Sequence, residues 1–224
     1  MTSATQAPRL ARELIDRLAQ LPTATIANAL DDVGKLVNCP LALRPVAPGM
    51  RFAGPAVTVE VIAGQPGQFT SADFRVGAVI DAAVAGDVVV VSAQAARSST
   101  WGGMASLAAK VKGIAGLVVD GGVRDIDEMV EHGFPVFARH CVSTTGRTRL
   151  KVNAINVPVE IDGVSVNPGD VIVADSTGVV VVPFADAARV AELAQAYASD
   201  DAKAEHEIRN GLSFSEAMSR FKRI

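Results

Sequence analysis

The stretch Trp101–Arg139, WGGMASLAAKVKGIAGLVVDGGVRDIDEMVEHGFPVFAR, decides the fold class. It reads as loop, helix, buried strand, polar turn, helix and strand, the alternation that builds a parallel sheet covered by helices. Met104, Leu107, Ala108 and Val111 recur at helical spacing, which predicts one core-facing side, and Gly113 stands where a helix end favours positive φ. Ile114 to Val119 is an unbroken apolar run of strand length. Asp120-Gly121-Gly122-Val123-Arg124-Asp125 then puts two carboxylates and a guanidinium at the carboxyl end of that strand, the edge where open α/β sheets bind ligands.

Outward from this stretch, Leu10, Leu14, Ile15 and Leu18 mark an amphipathic helix ending before Pro22, and Thr25 to Leu30 begins a second one ending near Gly34. Pro40, Pro45, Pro48 and Gly49 mark a long connection to a strand at Ala56–Ile62. Ala72 to Ala83 reads as helix, Val88 to Val91 as a buried strand, and Ser92 to Thr100 as a small, polar loop. Beyond Arg139 the period changes: Asp162-Gly163 between two alternating runs is a hairpin signal, followed by strands at 171–174 and 179–182. A long helix from Ala185 to Asn210 closes the pattern, and Ser213 with Glu216 forms a capping box for a last short helix. No composition break marks a linker. The expected organisation is therefore a single α/β domain over 1–224, with N-terminal helices at 8–34, an α/β core at 50–183 and a helical extension at 184–224.

With 224 residues and 49% hydrophobic composition, the chain can bury a sizeable core. A formal net charge of -3 gives no electrostatic reason to expect nucleic acid as the partner. Cys39 and Cys141 lack metal-ligand spacing and are too few for a disulfide framework, which favours a reduced, cytoplasmic setting. No signal peptide and no membrane span are expected from the apolar runs.

Two groups of residues carry chemistry. Gly102-Gly103-Met104-Ala105 precedes a helix whose first N–H groups and dipole favour an anion, although an ordinary loop with flexible glycines is the simpler account of this fragment taken alone. Arg124 offers a planar fork suited to a carboxylate, and Asp125 a hard oxygen donor for a divalent cation. Asp125 also reads as the N-cap of the following helix with Glu128 as its capping-box partner, so binding and capping are both open at this point. His132, His140 and His206 form no triad or metal spacing.

Thr23-Ala24-Thr25-Ile26-Ala27-Asn28-Ala29-Leu30, Gly54-Pro55-Ala56-Val57-Thr58-Val59, Trp101-Gly102, Gly113 through Asp125, and Asn167-Pro168-Gly169-Asp170 through Gly178-Val179 together resemble the RraA-like family. That family includes 4-hydroxy-4-methyl-2-oxoglutarate aldolases and a regulator of ribonuclease activity. The resemblance implies a three-layer fold with mixed sheets, buried central strands and a long C-terminal helix, assembled as a homotrimer or hexamer with sites between subunits. It implies a metal-dependent lyase that cleaves 4-hydroxy-4-methyl-2-oxoglutarate or a relative to pyruvate and decarboxylates oxaloacetate. The other activity it implies is a non-catalytic regulator. The residue matching the family's metal ligand is Asp125, for magnesium or another divalent cation such as manganese. Arg124 and the amides of Gly102, Gly103, Met104 and Ala105 match the groups that hold the pyruvyl part, and Glu205 of a neighbouring C-terminal helix matches a glutamate that completes the water network. One position departs from the pattern: the aldolases commonly carry an acid where this chain has Gly103, which bears on the aldol step more than on pyruvate or metal binding.

Overall fold

The computed structural model describes residues 9–221. Helices α1 (Arg12–Ala19) and α2 (Thr23–Asp32) lead through a short strand β1 (Arg44–Pro45) into β2 (Phe52–Ala63). Then follow α3 (Val76–Ala82), β3 (Val88–Trp101), α4 (Gly103–Lys112), β4 (Gly116–Val123), α5 (Ile126–Glu131) and β5 (Val136–Cys141). Strands β6 (Leu150–Ile155), β7 (Val159–Ile161), β8 (Val164–Val166), β9 (Val171–Asp175) and β10 (Gly178–Val182) precede α6 (Ala187–Arg209) and α7 (Phe214–Arg220).

Eight strands form one sheet in the order β1-β5-β4-β3-β2-β9-β10, with β6 also paired to β2; β7 and β8 form the hairpin turned by Asp162-Gly163. The β2-β3-β4-β5 run is parallel, and β1, β6, β9 and β10 join antiparallel. The long β2 is shared: Phe52 to Pro55 pairs with β9, and Ala56 to Glu60 with β3. The sheet is thereby folded over on itself. Val88, Val90, Val118 and Phe137 face Ile172, Ala174, Val179 and Val181 across one apolar cluster. Val89, Val91, Leu117 and Val119 point the other way, under α3, α4 and α5. The outward residues of β9 and β10, Val171, Val173, Val180 and Val182, meet α1, α2 and the first half of α6. The layers are helix, folded sheet, helix, and the central strands are apolar on both faces because both are covered.

Three expectations change. The helix expected over Ala72–Ala83 is a 3-10 turn at Ser71–Asp73 followed by the shorter α3, because the Thr70 hydroxyl and amide both bond Asp73 and close a separate turn there. Ser92–Thr100 is part of strand β3, not loop, but its pairing slips repeatedly: Ser92 to Trp101 runs beside only Asp120 to Val123. Gln94 and Ala95 take left-handed φ values of 51° and 57° in this bulged segment. A side chain on Gly121 would meet Ala93, and one on Gly122 the Ser98 carbonyl, so the glycine pair lets the bulge lie against β4.

The third concerns α4. Met104, Leu107, Ala108 and Val111 do not face the core: Met104 and Val111 are 75% and 80% exposed, and the buried residues are Gly103, Ser106 and Ala109. Small residues bring the helix backbone close to the sheet, which turns the larger side chains outward.

Asp175 ties α2 to the β9-β10 turn. Its carboxylate accepts hydrogen bonds from the Thr23 amide (2.9 Å), the Thr23 hydroxyl (2.7 Å) and the Thr177 amide (2.9 Å), so it caps α2 from the β9-β10 turn. Burial pushes this carboxyl up, but the bonds from Thr23 and Thr177 outweigh it and hold it below the ordinary value. A depressed carboxyl gives stability that is full above its unfolded pKa, roughly 4, and is lost as pH falls through the folded value. Asp175→Ala should therefore cost about 1–2 kcal/mol at neutral pH, with the difference from the parent shrinking below about pH 4. Urea unfolding across pH 2–7 measures this, and a pH-independent difference would remove Asp175 from the linkage.

Candidate functional site

The carboxyl ends of β3 and β4 and the amino end of α4 enclose a cleft of about 250 Å³. Gly102, Gly103, Met104 and Ala105 line it together with Arg124 and Asp125, so the two groups singled out from the sequence converge on one cavity. Val76 and Gly77 come from the start of α3 and Phe74 from the end of the preceding 3-10 turn, and Ser99, Thr100, Trp101 and Thr145 complete the walls. Glu205 does not line it. It lies on the exposed second half of α6 and forms an ion pair with Arg209.

Asp125 holds the corner. It takes a left-handed conformation, φ 60°, and makes no side-chain cap bond to its own helix α5, so the expected Asp125–Glu128 capping box is absent. Its carboxylate instead accepts the Gly103 amide at 3.1 Å, capping the neighbouring helix α4, and lies 3.3 Å from Arg124 Nε. Left-handed backbone is tolerated best by Gly, Asn and Asp. The reading of Asp125 as a cap was right in kind and wrong in helix: the carboxylate reaches across to the chain entering α4, a pairing that local spacing does not report.

Behind this carboxylate, a buried hydrogen-bond chain fixes the Gly102 turn. The Ser106 hydroxyl donates to the Gly102 carbonyl (3.0 Å) and accepts the Trp101 indole N–H (3.2 Å), while the Trp101 carbonyl accepts the Ser99 hydroxyl (2.6 Å) and the Arg124 amide (3.1 Å). The Trp101 ring stacks on Phe134. With the turn held, the amides of Met104 and Ala105 belong to a first helical turn and have no carbonyl one turn back to bond, which leaves them for an anion.

The sequence reading missed Glu128 as a site residue. A Cβ built on Gly103 would fall on the Glu128 carboxylate, and a Cβ on Gly102 would come within 2.5 Å of Asp125 Oδ2. The Glu128 carboxylate, borne by α5, thus fills the space beside Gly103 that a side chain there would enter. The signal was present as a pair, glycine at 103 and an acid three residues after Asp125, but was explained locally as capping.

The Asp125 carboxylate on the wall of the cleft is a hard oxygen donor and fits a divalent cation that keeps waters or substrate oxygens as its other ligands, as magnesium does. Among the described residues no group of three or more His, Cys, Asp or Glu side chains gathers at one point, so the protein would supply few of the ligands.

Residues 23–181 match the family model RraA-like, described as Aldolase/RraA. A Halalkalibacterium halodurans protein provisionally named 4-hydroxy-4-methyl-2-oxoglutarate aldolase is 32% identical over 201 residues, covering 89% of this chain and 90% of its own. An uncharacterised Pseudomonas syringae protein superposes with a TM-score of 0.87 at 30% identity, over 99% of this chain and 100% of that one. Streptomyces coelicolor RraAS2, described as an unusual member of the RNase ES inhibitor RraA family, superposes at 0.76 with 29% identity, covering 92% and 99%.

The Glu128 contact makes a stability test. Gly103→Ala should cost about 1–3 kcal/mol through overpacking. Gly77→Ala, also in a helix but with nothing within 4 Å of the new Cβ, should gain up to about 1 kcal/mol. Equal denaturation midpoint shifts in the two variants would mean that Glu128 does not fill the space beside Gly103.

Proposed function

The chain belongs to the RraA-like family, and we propose that it is a divalent-metal-dependent lyase of 2-oxo acids, cleaving a 4-hydroxy-2-oxo acid to pyruvate and decarboxylating oxaloacetate. The observation that carries this reading is the convergence of Arg124, Asp125 and the first residues of α4 on one cleft. Arg124 binds the substrate carboxylate through its guanidinium fork, and the Met104 and Ala105 amides take up further negative charge at the oxo acid. Asp125, with Glu128 nearby, would hold magnesium or manganese. When bound, the cation supplies positive charge beside the 2-oxo group, where the enolate develops. No lysine is needed for that stabilisation.

The remaining step is proton movement. In retro-aldol cleavage a base takes the proton of the 4-hydroxyl, the C3–C4 bond breaks, its electron pair forms the pyruvate enolate, and C3 is then protonated. We assign that base to Glu128, whose carboxylate lies against Gly103 of the cleft and would act directly or through a water. Loss of carbon dioxide from oxaloacetate gives the same enolate without a hydroxyl proton to remove. Gly103 therefore does not signal a lost aldol step.

The assembly belongs to the same proposal: a homotrimer or hexamer in which Glu205 of one copy approaches the cleft of the next. The second half of α6 supports it, since beyond Ala194 only Ala204 of that helix is buried, and Ile208, Phe214 and Met218 remain exposed. The competing reading, a non-catalytic regulator of ribonuclease activity, draws on the likeness to the Streptomyces protein, and pyruvate release separates the two.

Asp125→Asn should abolish metal-dependent pyruvate release from both substrate types while the thermal midpoint stays nearly unchanged, because asparagine accepts the Gly103 amide and tolerates left-handed φ. Glu128→Gln should lower retro-aldol kcat about 10²–10⁴-fold and oxaloacetate decarboxylation far less. A fully active Asp125→Asn protein, or no pyruvate from any 4-hydroxy-2-oxo acid or oxaloacetate with magnesium present, would sink the lyase reading.

For the assembly, sedimentation velocity at micromolar concentration should give a trimer or hexamer. A monomer would remove Glu205 from the site.

A further inference from the structure

Two apolar surfaces of this chain lie uncovered, and they belong to opposite outer layers. On α4, Met104, Leu107 and Val111 recur at i, i+3 and i+7 and form one exposed stripe, with Met104 also on the wall of the cleft. The second surface is carried by a two-helix arm. Among the described residues, none beyond Ala198 joins any of the three apolar clusters. There α7 folds back on the end of α6: the Leu212 amide donates to the Glu207 carbonyl at 3.0 Å, and Arg220 pairs with the Glu207 carboxylate at 3.4 Å. The buried residues of this arm are Ala204 and Ala217, too little apolar contact to stabilise short helical segments in water. Ile208, Phe214 and Met218 stay exposed on it, and the last two, four residues apart, share a side of α7.

Within one chain the two surfaces do not cover each other. Helix α4 packs with α3 and α5 on one side of the folded sheet, whereas α6 starts among α1 and α2 on the other side. A second copy offers both surfaces again, free to meet those of the first. Charge suits that pairing. Helix α4 carries Lys110 and Lys112 and no acid, while residues 200–220 carry five carboxylates against Lys203, Arg209 and Arg220. Burying the exposed Val111, Phe214 and Met218 against one another gains what each loses to water in the single chain.

We infer that the arm of one copy seats its Ile208, Phe214 and Met218 on the α4 stripe of the next, beside the cleft. The inference rests on the assembly proposed above and adds to it the surface on which the arm sits. A contact between two different surfaces is head-to-tail, so it repeats from copy to copy until a ring closes. Glu205 shares a side of α6 with Ile208, three residues on, so the helix that covers α4 brings that carboxylate with it. The cleft of a single chain is then open on the side of Met104, and the neighbour's arm completes it.

Complementation tests this without turnover. Val111→Glu puts a carboxylate on the α4 stripe, and Phe214→Glu puts one on the arm. Both positions are mostly exposed in the single chain, so each variant should keep the far-UV circular dichroism of the parent. In sedimentation velocity at micromolar concentration the parent should be assembled, and each variant should self-associate at least about 30-fold more weakly, the loss expected of a residue central to an interface. Val111→Gln repeats the α4 test without adding charge and should shift association the same way. Mixed in equal amounts, Val111→Glu and Phe214→Glu should form a dimer and nothing larger, because the intact arm of the first meets the intact α4 of the second at a single junction. If the parent assembles and both Val111 variants assemble equally well, or if the two glutamate variants fail to pair when mixed, the inference is overturned and the assembly stands. A monomeric parent overturns both. Neither result touches the lyase reading, which pyruvate release decides.

Discussion

The site depends on an unequal pairing of two parallel strands. From Ser92 onward β3 has many more residues than the stretch of β4 it runs beside, and the excess must bulge away from the sheet before Trp101 rejoins Val123. The left-handed residues Gln94 and Ala95 take up part of that excess, and Gly121 and Gly122 leave room for the bulge to press on β4. The consequence is positional. Trp101 is delivered beside Arg124, so the loop entering α4 and the loop entering α5 meet, which evenly paired strands of these lengths would not achieve. Backbone strain of this kind persists only where the surroundings over-determine it. Here the surroundings are the apolar layers on both faces of β3 and β4.

Where the two loops meet, one carboxylate does two things. Asp125 accepts the first amide of α4 and stands beside Arg124, so the group that fixes the end of a helix also sets the electrostatics of the cleft. Ser106 secures the same turn from behind through Gly102 and Trp101. These bonds are short range in space and long range in sequence, which is why the cleft depends on the global fold rather than on any local motif.

That distinction governs what was legible in the sequence. Elements closed by local chemistry were read correctly: the Asp162-Gly163 hairpin, the Ser213–Glu216 capping box and the positive-φ end of α4 at Gly113 each need only residues within a few positions. The buried strands were legible because a layer covered on both faces requires continuous apolar runs. Arg124, Asp125 and the Gly102–Ala105 segment were found as neighbours of a sheet edge. The outward face of α4, the true target of the Asp125 cap and the position of Glu128 were not found, because each is decided by how closely α4 approaches the sheet and α5. Apolar spacing on α4 pointed to the wrong face: close approach selects Gly103, Ser106 and Ala109 for burial and leaves Met104 and Val111 to solvent within one chain.

The packing of Glu128 against Gly103 follows from the same close approach. A side chain at position 103 and the carboxylate borne by position 128 compete for a single volume, so a chain with both is overpacked unless Glu128 moves. Glycine at 103 is therefore the partner of Glu128, and the two positions carry meaning only together. The packing at the entry of α4 is then set by the pair. Identity at a single sequence position is a poor guide to it.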